Sequence, residues 1–201
     1  MNKNLDYNFD IDDFTIRSNR ISKTISSDEG VPIIRVNVWY PMSSEKTFKG
    51  GRELFDTFFI ELSNEFVEFV ENKMCQRVKA VDKVNHPYSA VMKFVPTFED
   101  ENIVSLIVDT FIYNENGKSK TKRLAFTFNK TNGNIFVLDD LYKDVDDFLL
   151  IYHSLFKDKS VERKTRKAYE NSNFYFVPNG LILFYDNNNE IETVFFEKKI
   201  I

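Results

Sequence analysis

The fold is decided by the stretch Arg52–Lys79, which reads RELFDTFFIELSNEFVEFVENKMCQRVK. Its apolar residues recur at steps of three and four, which is the period of an α-helix that buries one face. The apolar stripe consists of Phe55, Phe58, Phe59, Leu62, Phe66, Phe69, Val70 and Met74. An opposite, solvated face carries Glu61, Glu65, Glu68 and Asn72. The stretch therefore predicts one long amphipathic helix with a phenylalanine-rich buried face.

On either side of this helix the apolar period changes to two, which is typical of β-strands. Upstream, Phe14–Ile21 predicts a first strand and Val31–Tyr40 predicts a second strand that ends at Pro41. Downstream, Tyr88–Val95 predicts a strand that Pro96 closes. The long helix is therefore expected to connect strands.

The middle of the chain predicts a three-stranded meander. Ile103–Tyr113 and Thr121–Asn129 are joined by the Asn-Gly hairpin connection Asn114–Lys118, and the turn Lys130–Gly133 leads on to Ile135–Leu138. In the second of these strands, one face carries Leu124, Phe126 and Phe128, and the other carries Arg123, Ala125 and Thr127. We expect one face of the meander to meet the core and the other to meet water or a partner.

The C-terminal part predicts a second helix followed by strands. Asp144–Phe156 has a helical apolar face, with Asp144 as its N-cap. The closing strands are expected at Phe174–Val177, Leu181–Tyr185 and Glu192–Phe196. This order predicts an α+β fold: a mostly antiparallel sheet with one long amphipathic helix and a shorter second helix packed on one face. We expect an N-terminal half over residues 14–98 and a C-terminal half over residues 99–201 in one compact unit, preceded by a frayed tail over residues 1–13.

The composition narrows the classes of function. The chain has 201 residues, 42% of them apolar, and a formal net charge of −4, so a nucleic-acid partner is not expected. No window approaches 18 uncharged apolar residues, which argues against insertion into a membrane. No signal peptide is present, so the sequence as written predicts a cytoplasmic protein, or an extracellular one if a leader has been removed. The single cysteine, Cys75, allows no intrachain disulfide.

The residues able to do chemistry form no recognisable motif. His86, His153 and Cys75 are interpreted as structural or surface residues. A cluster of acids comprises Asp139, Asp140, Asp144, Asp146 and Asp147. It lacks the spacing and the glycine of a calcium loop, which favours loop and helix-cap roles. Phosphate-binding glycine loops and paired-cysteine zinc motifs are missing from the sequence. We therefore predict no catalytic, cofactor or metal site, with a hydrolase that uses carboxylates or a lone histidine as the alternative.

One basic run lies between the second helix and the closing strands. It comprises Lys157, Lys159, Arg163, Lys164, Arg166 and Lys167. The run could meet an anionic partner. Asp158 and Glu162 dilute it, which favours a solvated helix or loop.

Several short stretches together resemble a known domain. They are Ile103–Leu106, Phe126–Asn129, Thr131–Gly133, Leu138–Tyr142 and Asn173–Leu181, and Val36–Pro41 ahead of the long helix. The pattern resembles the uncharacterised domain pair in the extracellular part of RsiV-like, lysozyme-sensing anti-sigma factors. That pair also occurs beside the catalytic domain of some peptidoglycan deacetylases. The resemblance covers about residues 20–196.

The resemblance implies a noncatalytic recognition or accessory domain of a Gram-positive bacterium, related to cell-envelope sensing domains. Its partner would be a protein or a cell-wall glycan. The candidate partner-binding residues are those of the hairpin tip, Asn114, Glu115, Asn116, Gly117 and Lys118. The family's histidine-containing hairpin stretch is replaced here, so lysozyme sensing is not carried over. A homo-oligomeric interaction subunit that buries exposed phenylalanines is the other alternative.

Overall fold

The computed structural model describes residues 14–44, 48–80, 86–114, 119–152, 159–171, 173–187 and 190–197. The first sheet contains β1 (Arg17–Ser26), β2 (Pro32–Met42), β3 (Tyr88–Glu99), β4 (Ile103–Tyr113) and β5 (Ser119–Asn129). The second sheet contains β6 (Phe174–Val177), β7 (Gly180–Asn187) and β8 (Glu190–Glu197). The helices are α1 (Arg52–Phe69), α2 (Cys75–Lys79), α3 (Val145–Ile151) and α4 (Lys159–Glu170). The α+β class is therefore confirmed.

The first sheet runs in the order β1-β2-β3-β4-β5. Neighbouring strands are antiparallel except β2 and β3, which pair in parallel from Ile34 opposite Tyr88 to Val38 opposite Met92. Parallel neighbours need a long crossover connection. The stretch with the phenylalanine stripe supplies this connection, which fixes the long helix against the sheet.

The predicted long helix is helical over its whole length but is interrupted by a π-turn. Val70–Met74 winds as a π-helix between α1 and α2. The fully buried side chains of Phe55, Phe59 and Val70 pack on the sheet. A π-turn accommodates one extra residue in a helix, and the apolar period alone did not predict it.

The two faces of the first sheet are covered by different layers. Leu124, Phe126 and Phe128 of β5 pack in the same core cluster as α1, as predicted. The opposite face does not meet water, because Ala125 and Ile107 pack in a second cluster with Tyr175 and other residues of the second sheet. Polar groups are satisfied at this junction: the hydroxyls of Ser105 and Thr127 lie 2.9 Å apart, and the backbone N–H of Phe176 donates to Ser105 Oγ at 2.9 Å.

The two faces of the second sheet are also covered by different layers. One face packs against the first sheet through Tyr175, Val177, Ile182 and Phe184. The other face packs against α3 and α4 through Phe174, Leu181, Leu183 and Phe196. The layers are therefore helix, sheet, sheet, helix. The expectation of one sheet with its helices on one face was wrong, because the period-two alternation is the same whether a face meets a helix or a second sheet.

Two prolines that were expected to end strands lie within strands. Pro41 pairs with Ser18 of β1, and Pro96 pairs with Leu106 of β4 beside a bulge. Both lie beyond the parallel pairing of β2 with β3, which ends at Val38 and Met92. A proline lacks the backbone N–H, and here it sits where its strand has a neighbour on one side only.

The region after the meander also differs from the prediction. Ile135–Leu138 makes a single bridge, from Ile135 to Phe128, and Leu138–Asp140 forms a 3-10 turn. The Asp140 carboxylate accepts a hydrogen bond from Val137 N at 2.9 Å. This bond favours the turn at the expense of a longer strand. The second helix is α3, and the described part of the basic run forms the additional helix α4. Residues 153–158 lie outside the described residues.

Candidate functional site

Of the two histidines and the cysteine, the structure describes His86 and Cys75. His86 is exposed beside the start of β3, Cys75 is half-buried at the start of α2, and His153 lies outside the described residues. In the part of the chain that the structure describes, no group of three or more His, Cys, Asp and Glu is arranged to hold a metal ion.

The acidic cluster caps turns and forms an ion pair. Asp144 is the N-cap of α3, as predicted, and its carboxylate accepts from Asp147 N at 2.9 Å. Asp146 accepts from Arg166 Nη2 of α4 at 2.7 Å. The contact between Asp146 and Arg166 holds the beginning of α3 against α4.

Charged groups that are buried among the described residues are paired with each other. Arg123 donates to both oxygens of Asp109, at 2.8 and 2.7 Å. Lys130 Nζ donates to Glu99 Oε1 at 2.8 Å and to Asp100 O at 2.6 Å. A catalytic carboxylate would instead face a space that a substrate can enter.

An apolar cavity lies between the C-terminal part of α1 and the strands β3, β4 and β5. The face of β5 that meets α1 reads Phe128, Phe126, Leu124 and Lys122 from one end to the other. Near the start of α1, aromatic rings fill the space between the layers, as in the pairs Phe55–Phe128 at 4.9 Å and Phe58–Phe126 at 4.8 Å. Farther along α1 the rings of β5 give way to a leucine and a lysine, and the space is left unfilled.

This cavity has a volume of about 310 Å³. The helix contributes Leu62, Phe66 and Phe69, and the strands contribute Met92, Val108, Ile112 and Leu124. Its polar lining consists of Glu65, Thr110 and Lys122. Met92 and Val108 are almost fully buried and form the floor, whereas Phe69 is 37% exposed and marks the opening. Cavities of this size and lining bind small apolar groups.

Two features of the fold lie beside the opening. The π-turn begins at Val70, immediately after Phe69, and such turns are frequent at functional sites. Ile112 and Lys122 are near the end of β4 and the beginning of β5, so the cavity lies toward the hairpin predicted to bind a partner. Of that hairpin tip, Asn114 is described and half-buried, and Glu115, Asn116, Gly117 and Lys118 lie outside the described residues.

The basic run contributes to a second pocket. Arg163, Lys164 and Lys167 line a space of about 430 Å³ between α4 and β7, together with Ala168, Asn171, Asn173 and Tyr185. Arg166 faces Asp146 instead. The sequence showed where the basic residues are, but which three of them line the pocket depends on how α4 packs on β7.

The arrangement defines a class of protein: an α+β domain of four layers with an apolar cavity in one outer helix layer and a basic pocket in the other. Solved structures show that this fold is shared with proteins of the DUF3298 family. One of these structures is from Bacteroides fragilis NCTC 9343. The match covers 90% of this chain and 89% of that one, with 12% identity and a TM-score of 0.53. Another is from Pseudomonas aeruginosa PAO1. The match covers 92% of each chain, with 9% identity and a TM-score of 0.55.

At these identities the similarity establishes the fold alone. No protein-family model matches the sequence. The curated proteins contain no match either. Within the described residues, no helix combines the length and apolar character needed to cross a bilayer.

Proposed function

We propose that this chain is a noncatalytic recognition domain, related to bacterial cell-envelope sensing domains of the RsiV-like type. It binds a protein partner through the apolar cavity between α1 and the strands β3, β4 and β5. The observation that carries the proposal is the unfilled cavity of about 310 Å³ at the open end of α1. The four-layer fold shared with DUF3298 proteins and the resemblance in sequence both support it.

The chemistry of the cavity favours a protein over a glycan as its occupant. Sugars need several hydrogen-bonding groups, and the lining here is mostly aliphatic and aromatic. One of its few polar groups, Thr110 Oγ1, already donates to Lys122 O at 3.4 Å. A leucine or phenylalanine side chain from a partner would fill the space, in the manner of an interface hot spot. Glu65 and Lys122 would surround such an anchor with one charge of each sign.

A matched pair of substitutions on α1 tests the proposal. Phe69→Ala removes the ring at the opening, whereas Ile60→Ala shortens a side chain of similar exposure (39% against 37%) that does not line the cavity. A partner captured from bacterial envelope extract is identified by mass spectrometry, purified and titrated against both variants, alongside lysozyme and soluble peptidoglycan fragments. We expect the Kd to rise at least about tenfold for Phe69→Ala, since anchor residues contribute about 2 kcal/mol or more, and to change less than about twofold for Ile60→Ala.

Three results would contradict the proposal. Equal effects of the two substitutions would show that the cavity is not the site. Saturable hydrolysis of peptidoglycan fragments without a stable partner would favour the hydrolase alternative. Sedimentation showing a dimer that Phe69→Ala dissociates would favour the homo-oligomeric alternative.

A further inference from the structure

The second pocket, between α4 and β7, has the charge and the hydrogen-bonding groups of an anion site. It lies in the opposite outer layer from the apolar cavity and does not depend on the function proposed for that cavity. Three cations line it, and none of its described lining residues is a carboxylate. Glu192 pairs with one of these cations, Lys164, and the other two have no such ion pair among the described residues.

One of the three cations is fixed in place. Lys164 Nζ lies 3.0 Å from Glu192 Oε2 and 5.1 Å from the centre of the Tyr185 ring. Tyr185 in turn donates its hydroxyl proton to the same Glu192 oxygen at 2.8 Å. Burial raises the pKa of Tyr185, and the hydrogen bond to Glu192 raises it further. The phenol therefore stays neutral and forms a rigid, uncharged wall.

The other two cations have no carboxylate partner among the described residues. Arg163 and Lys167 are exposed and lie four residues apart on α4, so their side chains are neighbours on one face of the helix. Lys167, in the last turn, also offsets the partial negative charge of the helix C-terminus. A guanidinium beside an ammonium is a common arrangement for binding phosphate.

The remaining lining is polar and neutral. The Nδ2 of Asn171 donates to Lys167 O at 2.6 Å, which leaves its amide oxygen, together with the side-chain amide of Asn173, to meet hydroxyl groups. Asn173 is held by its backbone, since its N–H donates to Ala168 O at 3.0 Å and its carbonyl accepts from Phe184 N at 3.0 Å. The volume of about 430 Å³ holds more than a phosphate group alone.

We propose that this pocket binds a polyol phosphate, with the phosphate on Arg163 and Lys167 and the hydroxyl-bearing body against Asn171 and Asn173. Glycerol 3-phosphate is the simplest probe, and glycerol is its uncharged counterpart. The source could be a free sugar or glycerol phosphate, or the repeat of a poly(glycerol phosphate) polymer.

The test compares two double variants with the same loss of charge. Arg163→Gln with Lys167→Gln empties the pocket of its unpaired cations. Lys73→Gln with Arg77→Gln removes an exposed Lys and Arg at the same spacing on the long helix. Thermal melting confirms that both variants fold, as the exposure of all four side chains leads us to expect. Calorimetric titration then measures binding of glycerol 3-phosphate and of glycerol, and NMR maps the residues that shift.

We expect glycerol 3-phosphate to bind and to shift residues of α4 and β7. Binding should weaken about tenfold in the pocket variant, change less than about twofold in the control variant, and weaken with added salt. Equal weakening in both variants, equal binding of glycerol, or shifts outside α4 and β7 would overturn the proposal. Tighter binding of poly(glycerol phosphate) per repeat would support the pocket with a polymer as its source, and equal binding would support it with a free metabolite.

Discussion

The two outer helix layers of this molecule are held to their sheets in different ways. The α1 helix buries the large rings of Phe55 and Phe59 against the first sheet. The α4 helix buries only Thr165, Ala168 and Tyr169, and it is fastened by ion pairs from Arg166 and Lys164. Where the packing of an apolar helix face ends, the remaining pocket is lined by apolar side chains. Where a basic helix face is packed loosely, the remaining pocket is lined by charged side chains. The difference explains why the two pockets have opposite chemistry.

The strongest test of this contrast compares one ring of the first core, between α1 and the first sheet, with one ring of the second core, between the second sheet and the helices α3 and α4. Phe55 and Phe148 are both fully buried, and each contacts three or more other aromatic rings. We expect Phe55→Ala and Phe148→Ala each to lower the free energy of unfolding by about 4 kcal/mol. Trp39, in β2 of the first sheet, reports on the first core by fluorescence in urea, and far-UV circular dichroism reports on the whole chain.

The two variants should differ in how they unfold. Because the second core is smaller, Phe148→Ala should make the dichroism change at lower urea than the Trp39 fluorescence, whereas Phe55→Ala should leave the two signals coincident. Coincident signals in both variants would show that the two layers form a single cooperative unit with equal shares in its stability.

The junction between the two sheets is the next largest expected effect. Asp109 and Arg123 pair on the face of the first sheet that meets the second sheet, and Asp109 is 6% exposed. Asp109→Ala leaves the guanidinium partly buried without its carboxylate, and we expect a loss of about 3 kcal/mol. The exposed pair of Lys79 and Asp28 is the control, and Asp28→Ala should change stability little, because solvent screens an exposed ion pair. Similar losses from the two substitutions, measured by urea unfolding, would argue against a buried junction.

Alkaline pH should separate the layers without a mutation. Burial raises the pKa of Tyr142, Tyr169 and Tyr185, and all three pack in the core between the second sheet and the helices α3 and α4. Above about pH 10 the unfolded chain loses these phenol protons while the folded chain keeps them, so the stabilisation present at lower pH declines as pH rises. Hydrogen exchange at pH 8 and pH 10.5, corrected for the intrinsic rate, should show β7 and α4 losing protection before β3 and β4. Loss of protection in the reverse order would contradict this prediction.

The smallest expected effect is a gain in stability. Thr165 Oγ1 is buried in α4 without a hydrogen-bonding partner among the described residues. Thr165→Val replaces this hydroxyl by a methyl group of the same shape, and we expect it to raise the free energy of unfolding by about 1 kcal/mol. Thr121→Val, on a half-exposed strand position, is the control and should change stability little. A destabilised Thr165→Val would show that the hydroxyl has a role in holding α4.

The same contrast between layers decides what could be predicted from the sequence. The phenylalanine stripe of the long helix and the boundaries of β4 and β6 followed from apolar period alone. The packing of the second sheet on the first did not follow from the period. Ala125 and Thr127 are small or polar and resemble a solvated face, although the second sheet covers them. The α4 helix was also missed as a packed element, since Thr165 and Ala168 carry little apolar signal.

The two pockets were predictable to different degrees. The basic run was interpreted in favour of a solvated helix or loop, with an anionic partner as the alternative. Which of its charges remain unpaired depends on Glu192 and Asp146, which are distant in sequence. The cavity was missed, although the series Phe128, Phe126, Leu124 and Lys122 already shows the apolar side chains shrinking along one strand face. That series predicts a cavity only when the position of the long helix over this strand face is already known.

The parallel pairing of β2 with β3 has a consequence for the order in which the chain folds. The strands β3, β4 and β5 are neighbours in sequence and can assemble through short connections. Strand β2 can join them only after the whole crossover from Ser43 to Pro87 has been closed, which has a large entropic cost. We therefore expect the β1–β2 hairpin to dock last, so that substitutions in β2 accelerate unfolding while substitutions in β4 slow refolding.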